Sequence, residues 1–237
     1  MDEVPVIKGY NYYFGKELPV YYADDRGNVV YYDLLHPLAQ VLKKRIKAGN
    51  QNTILIEGRT NSGKSTIGVQ LCQLLDSKWS LQNDYVYSQG DLKRKLKNPK
   101  ASPVSLLDEG SVVLNSYNSL KSEDKAMTIL MDAWRVKKKT MIICMPNRND
   151  LNKRIKNNHL DILIKCPVTS PVPGEEPKGF FTIYTHKFRD WGDDWWKPVG
   201  TSKFNKLDKK TQKEYDIIKE SHVDKLIDNY IDWDDDE

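Results

Sequence analysis

A glycine, four loop residues, a second glycine, a lysine and two hydroxyl side chains stand in that order at Gly58-Arg59-Thr60-Asn61-Ser62-Gly63-Lys64-Ser65-Thr66. Glycines at those places let successive backbone N–H groups wrap an anionic phosphate, and a helix starting at the end of the loop aims its positive end at the same point. In that pattern Lys64 reaches the β- and γ-phosphates, and the Ser65 hydroxyl holds Mg²⁺. The run therefore predicts a site for ATP with its magnesium ion, cradled by residues 58–66.

Binding a triphosphate is not hydrolysing it. Hydrolysis needs a metal anchor, a group that orients or deprotonates water, and positive charge for the transition state. Val104, Ser105, Leu106 and Leu107 lead directly into Asp108 and Glu109. A buried strand ending in Asp sets a carboxylate beside the phosphate loop, where Asp108 holds the Mg²⁺ shell. Glu109 can then project towards the γ-phosphate as general base. An ordinary strand-end turn carries the same pair of residues, and the phosphate loop upstream favours the catalytic reading. Asn147 follows the apolar run Thr140–Met145 and Pro146, where an amide can touch the γ-phosphate or the attacking water. A lone Asn in a loop is also a common turn residue. A cation can come from a neighbouring subunit: Arg135 is the first candidate, followed by Arg148 and Arg154, each by default a surface arginine.

These groups need elements to position them. Thr53–Glu57 predicts the strand feeding the loop, and Ile67, Val69, Leu71, Cys72, Leu74 and Leu75 supply apolar positions for the helix after it. Further short strands are expected at Tyr85–Tyr87, Val104–Leu107, Thr140–Met145 and Asp161–Lys165. Between them a helix capped by Ser122 should bury Ala126, Ile129, Leu130 and Ala133. Continuous apolar strands separated by helices imply a parallel sheet covered on both faces, so the fold class is α/β, a three-layer sandwich. Upstream, Val20–Tyr22 and Val29–Tyr32 around Asp24–Asn28 read as a β-hairpin, and Pro37 and Gly49 bracket a helix. Downstream, Phe180–Tyr184 reads as a strand, Trp191–Trp196 as an aromatic irregular stretch, and Lys209–Ile231 as a final helix with Tyr215, Ile218, His222, Leu226 and Tyr230 at helical spacing. The expected organisation is residues 1–50 packed on the core, 51–190 as the ATPase core, and 191–237 as an extension ending in acids.

At 237 residues, with charged residues at 30% and a mean hydropathy of −0.66, the chain reads as soluble and cytoplasmic. No apolar run approaches a membrane span, and no secretory leader is visible. Cys72, Cys144 and Cys166 are scattered among apolar neighbours and read as buried thiols. Lys and Arg number 37 against 33 Asp and Glu, and five of those acids fall in the last six residues, so the rest of the chain is distinctly basic. Such a body suits a polyanionic partner.

The order of phosphate loop, Asp108-Glu109, Ala133-Trp134-Arg135, the run Met141–Asn147, and Asp150–Ile155 resembles the HerA–FtsK superfamily of P-loop ATPases. Its relatives include viral genome-packaging ATPases, conjugative coupling ATPases and filamentous-phage proteins similar to zonula occludens toxin. The resemblance spans about Thr53 to Cys166. It implies the additional-strand, catalytic-glutamate class of P-loop NTPase, a ring-forming homo-oligomer, and translocation of double-stranded DNA in genome packaging or transfer. That family often has Gln where this chain has Asn147, and its toxin-like members carry a membrane span not seen here. The segment Gly110–Leu120 and the basic turn Lys153–Lys156 are the candidate DNA contacts, the latter reading equally well as the exposed face of a short helix. Other readings of the same motifs are a helicase, a helicase loader or an AAA+-type remodeller, a small-molecule kinase, and a nucleotide-gated binding module using Trp191, Trp195 and Trp196.

Overall fold

Ile54 and Ile56 point to one side of their strand and Leu55 to the other, and all three are fully buried, so this strand is covered on both faces. The computed structural model of the chain describes residues 11–13, 16–18, 21–24, 26, 29–98, 100–110, 122–151, 153–168, 176, 178–187 and 195–231. Its first elements are β1 (Asn11–Tyr13), β2 (Lys16–Leu18), β3 (Tyr21–Ala23), β4 (Val29–Tyr31) and α1 (Leu35–Lys47). The core follows with β5 (Asn52–Glu57), α2 (Lys64–Leu75), α3 (Leu81–Asp84), β6 (Tyr85–Val86), α4 (Gln89–Lys97) and β7 (Val104–Leu107). Then come α5 (Ser122–Val136), β8 (Thr140–Met145), α6 (Lys153–His159), β9 (Ile162–Lys165), β10 (Phe180–Lys187), β11 (Trp195–Lys203) and α7 (Lys209–Ile231).

Seven strands form one sheet in the order β11-β10-β9-β5-β8-β7-β6. The five from β9 to β6 run parallel, and β10 and β11 add antiparallel at one edge. One face packs Ile54, Ile56, Leu106 and Cys144 against α1, α2 and the start of α7. The other packs Leu55, Leu107, Ile143 and Met145 against α4, α5 and α6. The expected three-layer α/β sandwich is what forms. Because β8 lies between β5 and β7, the strand that ends at Asp108 is separated from the phosphate-loop strand by one additional strand.

Two local expectations change. From Trp195 on the chain is regular: β11 pairs with β10 along its length and closes the sheet edge, so residues 195–203 belong to the core sheet. Helix α5 buries Met131 and Trp134, while Ile129 is 66% exposed, because the bulkiest side chains set which face turns inward. At the N-terminus the expected hairpin forms as β3–β4, and a second small antiparallel pair, β1–β2, precedes it. Hairpin β3–β4 packs on the sheet through Tyr31 against Phe180 of β10, ring centroids 5.4 Å apart. The acidic tail, Arg189, Trp191 and residues 111–120 lie outside the described residues. No helix among the described residues is long and apolar enough to cross a membrane.

Asp84 and Lys95 form a buried ion pair, their side chains 4% and 5% exposed. Burial lowers the Lys95 pKa, and the adjacent Asp84 carboxylate opposes that shift. Removing the carboxylate strands an ammonium in the core, so Asp84→Ala is expected to cost about 3–5 kcal/mol in denaturant unfolding. The double replacement Asp84→Leu with Lys95→Met should recover most of that. A loss below about 1 kcal/mol for Asp84→Ala would show the pair to be solvated instead.

Candidate active site

The loop after β5 turns on backbone that most side chains avoid. Gly63 has φ +94°, and a Cβ there would lie 2.1 Å from the ring of Phe204. At Gly58 a Cβ would come within 2.7 Å of both the Cys166 Cβ and the Ser62 Oγ. Neither place admits any other residue without movement. Asn61 sits at φ +62°, a region its short amide tolerates. Helix α2 starts directly at Lys64, with the Ile67 N–H donating to the Gly63 carbonyl at 3.0 Å. The first-turn N–H groups thus face the loop, a ready anion seat. The Lys64 ammonium folds back and donates to the Arg59 carbonyl at 2.8 Å.

Across the loop, the Ser65 hydroxyl donates to Asp108 Oδ1 at 2.9 Å. Asp108 is buried, and its Oδ2 accepts from two phenols, Tyr85 at 2.6 Å and Tyr215 at 2.8 Å. Tyr87 donates in turn to the Tyr85 hydroxyl at 2.9 Å. Burial, reinforced by the Asp108 charge, pushes both Tyr85 and Tyr215 far above the usual phenol range. Both therefore stay protonated and act as donors. Glu109 follows at φ +53°, half-exposed, with the Lys219 Nζ 3.5 Å from its Oε1. A cavity of about 470 Å³ opens between these groups, lined by Lys64, Ser65, Glu109, Pro146, Tyr215 and Lys219 among others. A second, of about 850 Å³, continues from Gly63 and Thr66 past Phe204 and Ile217.

A phosphate loop after the central parallel strand, an acidic pair after β7 and one strand between them define the additional-strand form of the P-loop NTPase fold. The donor set also suits magnesium. Ser65 and Asp108 offer one hydroxyl and one carboxylate, hard oxygens that leave the remaining positions to water and phosphate. No cluster of three or more His, Cys, Asp or Glu residues fit to hold a metal occurs among the described residues.

The other expected residues are dispersed. Asn147 accepts from the Asn149 N–H at 3.0 Å and caps a short 3₁₀ turn, while its neighbour Pro146 lines the cavity. Arg135 is exposed near the end of α5, just before β8 begins. Since β8 runs parallel to β5, Arg135 lies at the opposite end of the sheet from the phosphate loop, away from this chain's own site. The Arg148 backbone N–H donates to Glu57 Oε2 at 3.2 Å, and Lys165 pairs with Glu57 Oε1 at 2.9 Å, tying three strand ends together. The thiols are all buried, and burial pushes Cys166 up to about 11 and raises the other two as well.

Sequence reasoning missed Tyr85, Tyr215 and Lys219 as site residues. Signals existed: Tyr85 and Tyr87 alternate along a strand, and Tyr215, Lys219 and His222 share one helix face by spacing. What was not visible is that this face meets residues more than a hundred positions earlier.

No protein-family model and no curated protein matches the chain. Among solved structures, it is similar to the genome packaging NTPase B204 from Sulfolobus turreted icosahedral virus 2 in complex with AMPPCP. The identity is 13%, over 58% of this chain and 93% of that one, with a TM-score of 0.37. The N-terminal domain of zonular occludens toxin from Neisseria meningitidis is similar at 13% identity, over 68% of this chain and 97% of its own, TM-score 0.40. The replication initiator DnaA bound to AMPPCP and single-stranded DNA is similar at 16% identity, over 56% of this chain and 47% of its own, TM-score 0.36.

Proposed function

We propose that the chain is a Mg²⁺-dependent ATPase of the HerA–FtsK type, working in the cytoplasm as a ring-forming motor on double-stranded DNA in genome packaging or transfer. The observation that carries the ATPase reading is the meeting of Lys64, Ser65 and Glu109 at one cavity, with the buried Asp108 carboxylate bonded to Ser65 behind them. The loop N–H groups and Lys64 bind the phosphates, and Phe204 and Ile217 offer apolar surface to the base. Ser65 and Asp108 would hold a magnesium ion, which when bound would offset negative charge on the phosphates. Tyr85 and Tyr215 fix the Asp108 carboxylate for that task. Glu109 takes a proton from water as the water oxygen bonds to the γ-phosphorus. The bond from that phosphorus to the bridging oxygen breaks, and its electron pair leaves with ADP.

The DNA reading rests on the motif order and on the basic excess of the chain outside its acidic end. Duplex DNA is expected to stimulate hydrolysis by the purified chain. The DNA concentration for half-maximal stimulation should rise at least about 10-fold between roughly 50 and roughly 200 mM salt, because released counterions drive the contact. Hydrolysis indifferent to duplex DNA at low salt removes the motor and leaves the ATPase. One observation favours a second reading, an AAA+-type remodeller or helicase loader: α7 lies across the nucleotide site as a helical cover would. Particle images with an ATP analogue and duplex DNA separate the two, since a motor should encircle the duplex.

A further inference from the structure

Lys219 touches the glutamate assigned as general base, and the reaction described above makes no use of it. The ion pair is open to solvent, 40% exposed on the lysine and 47% on the glutamate. Pairs this exposed contribute about 0–1 kcal/mol, too little to hold a helix in place. Stronger contacts hold it. Tyr215, one turn earlier on the same face, is buried and bonded to Asp108, and the Lys219 ammonium stands 5.8 Å from its ring centroid. His222 stacks on Tyr87 with ring centroids 3.6 Å apart. The helix is therefore anchored on both sides of Lys219, and the lysine is delivered into the cavity that Lys64, Ser65 and Glu109 line.

A γ-phosphate resting between Lys64 and Glu109 would come within reach of that ammonium. A lysine's four-carbon stem lets its charge move several ångströms without moving the helix. We propose that Lys219 is a catalytic residue supplied in cis by the C-terminal helix. It leaves the Glu109 carboxylate for the γ-phosphate when ATP binds, and it offsets the charge that builds there while water attacks. The assignment rests on the ATPase reading. It gives each subunit a second γ-phosphate cation of its own beside Lys64, which Arg135 at the far end of the sheet does not.

The test compares the full chain with Lys219→Ala and Lys219→Arg, titrated separately with MgATP and MgADP and assayed for turnover. Only ATP carries the phosphate that Lys219 contacts. Lys219→Ala should therefore weaken ATP about 10-fold while ADP stays within about 2-fold of the parent. Turnover should fall about 100-fold, the usual loss when one charge-stabilising donor is removed. Lys219→Arg keeps the charge on the same helix and should restore most of both. Equal weakening of ATP and ADP would mark Lys219 as merely structural and overturn the proposal. So would unchanged turnover in Lys219→Ala beside an active parent, which leaves the ATPase reading intact. A parent chain that binds neither nucleotide removes that reading, and this assignment with it.

Discussion

Lys64→Ala is expected to lower ATP affinity by about 100-fold or more and to abolish measurable turnover, because hydrogen bonds to charged groups contribute about 1.5–3 kcal/mol each and this ammonium would make more than one to bound phosphates. The fold should hardly notice. Among the described residues the Lys64 ammonium makes one bond, to the Arg59 carbonyl at 2.8 Å in an exposed setting. Losing it costs at most about 1 kcal/mol, a shift of roughly 2–4 °C in the unfolding midpoint for a chain of this size. Lys64→Arg should not rescue binding, since a planar guanidinium does not fit where a compact ammonium must turn back over a tight loop. Calorimetric titration beside a thermal melt reads both quantities at once. An alanine variant that binds and hydrolyses ATP normally would leave the loop as an ordinary turn.

The sequence makes the phosphate loop legible because its demands are local. Gly58 and Gly63 answer steric constraints, and Lys64 and Ser65 follow within one helical turn. The parallel strands were legible too, since fully buried strands read as unbroken apolar runs. Phase was harder. The spacing of Ala126, Ile129, Leu130 and Ala133 fits a helix but not which side is inward, and Met131 with Trp134 decided it by bulk. Edge strand β11 was hidden by Pro198, which a central strand would not tolerate but an edge strand does. The register shift at Ile183 and Tyr184 falls opposite the same stretch, where the edge bends. The C-terminal helix shows the deepest limit. Its polar face was visible as a pattern, yet that the face lands on Asp108 and Glu109 depends on the chain's return path, which no local rule encodes.

Glu109→Gln should separate binding from chemistry. The amide has the same length and accommodates the same backbone at φ +53°, so the loop should keep its shape. What it loses is the capacity to accept a proton from water, and general-base groups contribute about 10²–10⁴ to rate, so turnover is expected to fall about 1,000-fold. ATP affinity should hold or improve, because a carboxylate near the γ-phosphate repels it in the ground state and an amide does not. The variant also frees Lys219 from its 3.5 Å contact, which removes a competitor for that ammonium and acts in the same direction. Turnover in single-cycle conditions, followed with MgATP titration, gives both numbers from one preparation. If Glu109→Gln hydrolyses ATP within about 3-fold of the parent, another group takes the proton, and Asp108 then has no adjacent base for its role to complement.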